Sequence, residues 1–164
     1  MSPQRTPSAI YRVRAASDGD RNFVADSWRR SLQDQPAYSS MPSRGYVAWA
    51  NAVIAHFLGS RPDGLALRHG DRLYTARDIE RPAYLYGWLL CRDAQPGMSL
   101  VYLYVKNGYR RQGIASELLA HALEDVDDGP LSYAFHTRVD KWLGSLGMSY
   151  QPVEQLERAA RQAG

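Results

Sequence analysis

The chain has 164 residues, 45% of them apolar and 23% charged, which is enough for one domain with a sizeable core and too apolar for a disordered tract. Its net charge of +3 accommodates an anionic ligand without calling for nucleic acid, because the arginines fall singly or in pairs such as Arg29-Arg30. Cys91 is the single cysteine, so an intrachain disulfide and a cysteine-built zinc cluster are excluded; no long apolar run and no signal-peptide core occurs, and the chain reads as cytoplasmic, with no membrane partner.

Residues 1–8 are polar, carry two prolines and are expected to form a flexible start. Ala9 to Ala15 alternates, with Ile10, Arg12 and Arg14 on one side and Tyr11 and Val13 on the other, which predicts a half-buried strand. Ser17, with Asp20 three residues on, resembles a capping box. Val24, Trp28 and Leu32 then repeat every four residues and predict a helix over about 18–33. Gln35 to Gly45, with two prolines, three serines and a glycine, reads as a loop of functional length. Tyr46, Trp49, Ala50, Val53, Ile54 and Phe57 share one face of a second helix.

Leu65 to Arg68 reads as a short strand turned at His69-Gly70-Asp71, and the charged stretch Arg72 to Arg81 as an inserted hairpin or loop. Ala83 to Arg92 is a longer strand containing Gly87, in which Cys91 reads as a small buried hydrophobe. The Pro-Gly turn within Asp93 to Gly97 should pair it with the strand at 99–105 as an antiparallel hairpin.

Leu100 to Val105 is apolar throughout and rich in β-branched and aromatic residues, as a strand buried on both faces requires. Lys106-Asn107-Gly108 ends it, and Ile114, Leu118, Leu119, Ala122 and Leu123 then make one helical stripe. Between strand and helix lies Arg110-Arg111-Gln112-Gly113-Ile114-Ala115. A helix N-terminus offers unpaired N–H groups and roughly half a positive charge. Gly113 and Ala115 let a ligand approach the backbone, and Arg110 and Arg111 add cations shaped for phosphate oxygens. The arrangement predicts a pyrophosphate cradle, although an ordinary strand-to-helix turn with solvated arginines stays open on these residues alone. It is neither a Walker loop nor a dinucleotide fingerprint, since the Lys-Ser/Thr pair and the third glycine are missing. After a break at Asp125 to Pro130, Leu131 to Phe135 reads as a strand, Arg138 to Leu146 as a short helix and 149–153 as a last strand. One domain is expected over 9–153, with a charged tail over 154–164.

The run Val105 to Ala115 resembles the acetyl-CoA motif of the GNAT N-acetyltransferase family. That motif's core is Arg or Gln, two residues, Gly, one residue, then Gly or Ala, and it is supplied by Arg110, Gly113 and Ala115. The apolar strand ending in Val105, the pair Tyr109-Arg110 and Leu118-Leu119 in the helix match as well. The resemblance covers about residues 10–153 and is strongest over 99–123, with Gly147-Met148 where the family commonly has Gly-Phe. It implies an α/β fold whose mixed, mostly antiparallel sheet carries helices on both faces and splays after the fourth strand to admit acyl-CoA. It implies acetyl-CoA as co-substrate and a primary amine, on a small molecule or a protein, as acceptor by direct attack on the thioester. It places the pyrophosphate at the backbone of Arg111, Gln112, Gly113, Ile114, Ala115 and Ser116 beside Arg110. Backbone N–H groups of Leu103, Tyr104 and Val105 would hold the acyl carbonyl and pantetheine. A homodimer is compatible with it.

Two features depart from the family. Ser99 to Val105 contains no carboxylate to act as base, and Leu143 stands where the family's proton-donating tyrosine precedes the Gly-Phe pair. The remaining catalytic candidates are Tyr102 and Tyr104, on one face of the fourth strand and able to order a water, and His136 at the end of the fifth. His136 occupies a position where family members often carry an asparagine facing the cofactor, and imidazole is the side chain suited to proton transfer near neutrality. A structural strand-end histidine is the alternative. His56, His69 and His121 match no motif, and no metal is expected. A non-catalytic acyl-CoA-binding or interaction module on the same fold competes with the enzyme reading. Asp34, Asp78 and Glu80 are candidates to face a cationic acceptor by loop placement alone.

Overall fold

A computed structural model of the chain describes residues 10–36, 38–94, 96–152 and 154; the expected flexible start at 1–8 and all but the first residue of the expected tail lie outside them. Strand β1 (Tyr11–Ala15) leads through a 3₁₀ turn (Asp18–Asp20) into helix α1 (Arg21–Asp34), then α2 (Ser43–Leu58). Strands β2 (Asp71–Asp78), β3 (Leu85–Asp93) and β4 (Met98–Val105) follow, then a second 3₁₀ turn (Asn107–Tyr109) and α3 (Ile114–Leu123). Strand β5 (Leu131–Tyr133), α4 (Asp140–Ser145) and β6 (Ser149–Tyr150) close the described chain. The six strands form one sheet in chain order, β1 to β4 antiparallel and β5 and β6 each parallel to the strand before.

Helices cover both faces. Val24, Trp28 and Leu32 of α1, with Tyr46, Ala50, Ile54 and Phe57 of α2, are buried against Trp88, Leu90 and Tyr102. On the other face Ile114, Leu118, Leu119 and Ala122 of α3 and Leu143 of α4 pack on Leu89, Cys91 and Leu100. Trp28 is wholly buried, ringed by Phe57, Trp88, Tyr102 and Phe135 at 5.4–6.2 Å between centroids. The capping box forms as expected, Ser17 N–H and Oγ both reaching Asp20 Oδ2 at 2.9 and 3.2 Å. No helix among the described residues is long and apolar enough to cross a membrane.

The second strand corrects the sequence reading. Residues 65–68 are not a strand, and most of the charged stretch 72–81 is one. The charges misled because they are consumed internally rather than solvated. Asp71 takes both ends of a two-point contact from Arg92 at 2.7 and 3.1 Å. Arg72 reaches Asp93, Tyr74 and the Ala122 carbonyl, tying the C-terminal end of α3 to the sheet. Arg77 pairs with Asp20 at 8% and 9% side-chain exposure, and Asp78 accepts from the Tyr86 hydroxyl. A buried polar group survives in a core strand when its partners are supplied, and here each one is. Strand β5 and helix α4 are also shorter than expected, and β6 ends at Tyr150.

The sheet opens where the family resemblance placed the opening. β5 matches β4 only over Met98, Ser99 and Leu100, after which Ala134 N–H makes a last bond of 2.9 Å to Leu100 O. From Val101 to Val105 β4 runs on without a strand on that side. The register on the β3 side slips at the same point: Tyr102 faces Leu90 and Leu100 faces Cys91, leaving Val101 as an extra residue. This bulge turns Val101 and Tyr102 together toward α1, so Tyr102 and Tyr104 share that face.

Candidate active site

The loop between β4 and α3 is set by two left-handed residues. Gly113 has φ +84° and is the residue on which α3 starts, so its conformation follows from the absence of a Cβ. A Cβ built there would meet nothing within 4 Å, so the site is open above the glycine. Arg111 has φ +64° without that excuse, a costly conformation for a side chain of its type. Ile114 is buried and contributes only its backbone, whereas Arg111, Gln112, Gly113 and Ser116 are exposed and Ala115 half-buried. The first turn of α3 directs its unpaired N–H groups into this space. Arg110 turns back: its Nε donates to Val105 O at 3.0 Å and Nη1 to Asn107 Oδ1 at 3.4 Å.

Backbone alternation decides which groups of β4 face the opening. Lys106 N–H donates to Tyr86 O across the β3 side at 2.8 Å. Tyr104 therefore turns its backbone toward β3, and Leu103 and Val105 turn theirs to the unpaired edge. Of the three residues implied by the family resemblance, two aim N–H groups into the gap and the middle one does not. The notch so formed is walled by Leu100, Val101, Tyr102 and Leu103 on one side and by Tyr133, Phe135, Thr137, Val139 and Leu143 on the other. Leu143, 1% exposed, brings a methyl-bearing wall to the place where a hydroxyl donor was implied to be missing.

The three catalytic candidates are placed differently. Tyr102 is 2% exposed with its hydroxyl 2.8 Å from Ser31 Oγ, and burial holds that phenol well above its usual titration range. Tyr104 is half-buried, its ring edge-on to Phe23 at 6.3 Å. His136 stands beyond the end of β5 between Phe135 and Thr137 of the notch wall, and its side chain is 47% exposed. Its Nδ1 lies 2.8 Å from Asp140 Oδ2, and the other Asp140 oxygen accepts Thr137 N–H at 2.8 Å. Tyr150 stacks on the imidazole with centroids 3.7 Å apart. The ring is thus fixed on one nitrogen and one face, and Nε2 is the nitrogen that this pairing leaves for other partners.

The sequence reading missed Asp140 and, although Tyr38 with Tyr46 and Trp49 could be read as lining a substrate groove, it missed what Tyr38 touches. Asp140 could have been found from its spacing of four after His136. Tyr38, pushed up to about 12 by burial, bonds to the backbone of His136 and packs on Trp49 and Phe135, a contact no local pattern reveals. Asp78, proposed for the acceptor side, is committed to Tyr86 and to the N–H groups of Glu80 and Arg81 at 2.9 and 2.8 Å. Asp34 and Glu80 are exposed. Cys91 is fully buried, and burial pushes its thiol up to about 12, so it packs rather than reacts. Among the described residues no three His, Cys, Asp or Glu gather as metal ligands would.

Solved structures share this architecture. A protein described as histone acetyltransferase HPA2 and related acetyltransferase, from Corynebacterium glutamicum, superposes with a TM-score of 0.61 at 17% identity over 84% of each chain. A ribosomal-protein-alanine N-acetyltransferase from Brucella melitensis gives 0.51 at 17% identity over 83% of this chain and 90% of its own. The PaiA N-acetyltransferase from Thermoplasma acidophilum, solved in complex with coenzyme A, gives 0.50 at 17% identity over 68% and 69%. At such identities the likeness concerns the fold. No curated protein matches the sequence. The model of the acetyltransferase (GNAT) family matches residues 25–142, which take in most of α1, the β4–α3 loop and the notch apart from Leu143. With an open β4 edge leading into the exposed start of α3, and a family match over more than half its length, the chain belongs to the GNAT acetyltransferase family.

Proposed function

We propose that the protein moves an acetyl group from acetyl-CoA to a primary amine. The observation that carries this reading is continuity: the unpaired edge of β4 runs directly into the loop where Arg111 and Gly113 are left-handed and α3 begins. An extended pantetheine arm would lie along Leu103 and Val105 as an added strand does, with its pyrophosphate at the N–H groups of Arg111 to Ser116. The thioester would then sit near the bulge at Val101. The coenzyme A held by the Thermoplasma relative is in keeping with this donor.

In the reaction the amine nitrogen bonds to the thioester carbon and the carbon–sulfur bond breaks. The proton that the amine gives up is the one the departing thiolate needs, so one relay balances the step. His136 takes that part at Nε2, with Asp140 fixing Nδ1. Tyr104 orders water at the acceptor side, and Tyr102, whose hydroxyl is held by Ser31, contributes its ring as a wall. The buried Leu143 supports one competing reading, an acyl-CoA-binding module without turnover.

Release of free thiol from acetyl-CoA across a panel of amines tests both. General acid–base help is worth about 10²–10⁴ in rate, so His136→Ala should lower kcat at least about a hundredfold. Its acetyl-CoA affinity should stay within a few-fold, because the cradle lies elsewhere. Full kcat in His136→Ala would transfer the role to Tyr104 or solvent. Tight acetyl-CoA binding without turnover of any amine, in the wild type, would favour the module.

A further inference from the structure

Past Ala134, whose N–H still bonds to Leu100 O, the segment that faces β4 across the notch is no longer held by the hydrogen bonds of the sheet. There it is fastened by Phe135, buried in the aromatic cluster around Trp28, by the Tyr38 contact to the His136 backbone, and by the residue that caps the C-terminal end of α1. Gln35 is 8% exposed, and its side-chain amide is used at both ends: Oε1 accepts Arg138 N–H at 3.0 Å and Nε2 donates to Ser31 O at 3.2 Å. The Gln35 backbone is spent too, donating to Leu32 O and accepting from Tyr38 and Ser39. Ser31 Oγ in turn meets the Tyr102 hydroxyl at 2.8 Å. A polar chain therefore runs from Arg138 in the far wall, through Gln35 at the C-terminal cap of α1 and Ser31 within it, to Tyr102 in the near wall. The Asp34 carbonyl adds a contact of 3.4 Å to the Arg138 guanidinium. The partners are 103 residues apart in sequence, so this bond is tertiary and serves no local turn.

We propose that Gln35 is a positioning residue that sets the width of the notch and thereby favours a short acyl group. The proposal rests on the acyl-CoA reading of the notch. A thioester held between the β4 edge and the far wall must be placed to within a fraction of an ångström to react. Phe135, Val139 and Leu143 bound the gap opposite Tyr102, and a two-carbon acyl group fits between walls that do not separate more readily than a longer one does. Removing the amide frees Arg138 N–H and lets that wall drift.

The test uses the full chain with Gln35→Met, which keeps the shape and removes both bonds, and Gln35→Glu, which keeps an oxygen for Arg138 N–H. Amide exchange at Arg138 should accelerate about five- to tenfold in Gln35→Met, the equivalent of one lost hydrogen bond, with β2 and β3 amides unchanged. The ratio of kcat/KM for butyryl-CoA over acetyl-CoA should rise several-fold, with KM for acetyl-CoA increased. Gln35→Glu should return both readouts close to wild type. Gln35→Met with a lower melting temperature and wild-type selectivity would make Gln35 a mere helix cap and overturn the proposal. If Gln35→Met does not fold, altered selectivity in Gln35→Glu overturns it equally. Failure of the underlying reading looks different: the wild type itself would then bind neither acyl-CoA, and this proposal would fall with it.

Discussion

Arg111 and Gly113, with Gln112 between them, both have positive φ, at +64° and +84°. Arg111 is the one non-glycine residue with positive φ among the described residues. Positive φ at such positions can turn backbone N–H groups to a common side, the geometry by which backbone concavities bind anions. That it precedes the positive end of α3 adds the helix dipole to the same point. A strained residue beside an open helix start is in keeping with the pyrophosphate cradle proposed for this loop.

Substitutions at Gly113 should separate the backbone from the ligand. Gly113→Ala meets no neighbour but must hold φ +84°, a strain of roughly 1–2 kcal/mol that should appear in the urea midpoint. Gly113→Asp adds a negative charge to the cradle and should weaken acetyl-CoA binding well over tenfold, more than about 1.4 kcal/mol by titration calorimetry. A folded Gly113→Asp protein that binds acetyl-CoA as the wild type does would remove the pyrophosphate from this loop.

Trp28 is wholly buried, and its indole N–H has no hydrogen-bond partner among the described residues. Trp28→Ala therefore loses packing alone, without stranding an acceptor. Emptying this site should destabilise the fold by roughly 3–5 kcal/mol. A melting temperature within a degree or two of wild type would show that the aromatic cluster closes over the gap.

Asp20 and Arg77 tie the start of α1 to β2 across 57 residues, with Thr75 Oγ1 at 2.8 Å from the same guanidinium nitrogen. Arg77→Met leaves the Asp20 carboxylate buried without its cation and should cost roughly 3–5 kcal/mol. Changing Asp20→Leu as well should recover part of that loss, since neither charge is then stranded. Denaturant midpoints of the two single variants and the double complete the cycle. Strict additivity would mean that the pair does not interact.

Alkaline pH should unfold the protein early. Burial raises the Cys91 thiol from 9.0 to about 12, and the Asp78 contact raises the Tyr86 phenol from 10.0 to about 12. Between those limits the unfolded chain has released protons that the folded chain keeps, so stability falls as pH rises from about 9 toward 12. Cys91→Ala and Tyr86→Phe should each flatten that decline in a series of melting temperatures. Slopes equal to wild type in both would show that these groups titrate alike in the two states.

Legibility in the sequence followed the range of the interactions. Trp28, Leu118 and Gly113 were readable because helix periodicity and turn chemistry are local. The motif at Arg110, Gly113 and Ala115 was readable for the same reason, and the hairpin of β3 with β4 followed from its Pro-Gly turn. Strand β2 was not, because Arg72 and Arg77 look solvated until Asp93 and Asp20 are seen beside them. Gln35 read as the first residue of a loop, and its role depends on Arg138. The acetyl-CoA motif therefore pointed to the loop proposed to hold the pyrophosphate, while the walls of the notch needed three dimensions.

The sheet order has a consequence for biosynthesis. Each strand pairs with the one made just before it, from β1 to β6, so no strand must wait for a distant one. By the time Leu123 leaves the ribosome, β1 to β4 and the whole β4–α3 loop have all their strand partners on that side. The far wall comes from residues 131–150 and can be fastened to α1 only after Arg138 has been translated. Since domains fold as they emerge, the loop proposed to hold the pyrophosphate is finished first, and the gap proposed to confine the thioester last.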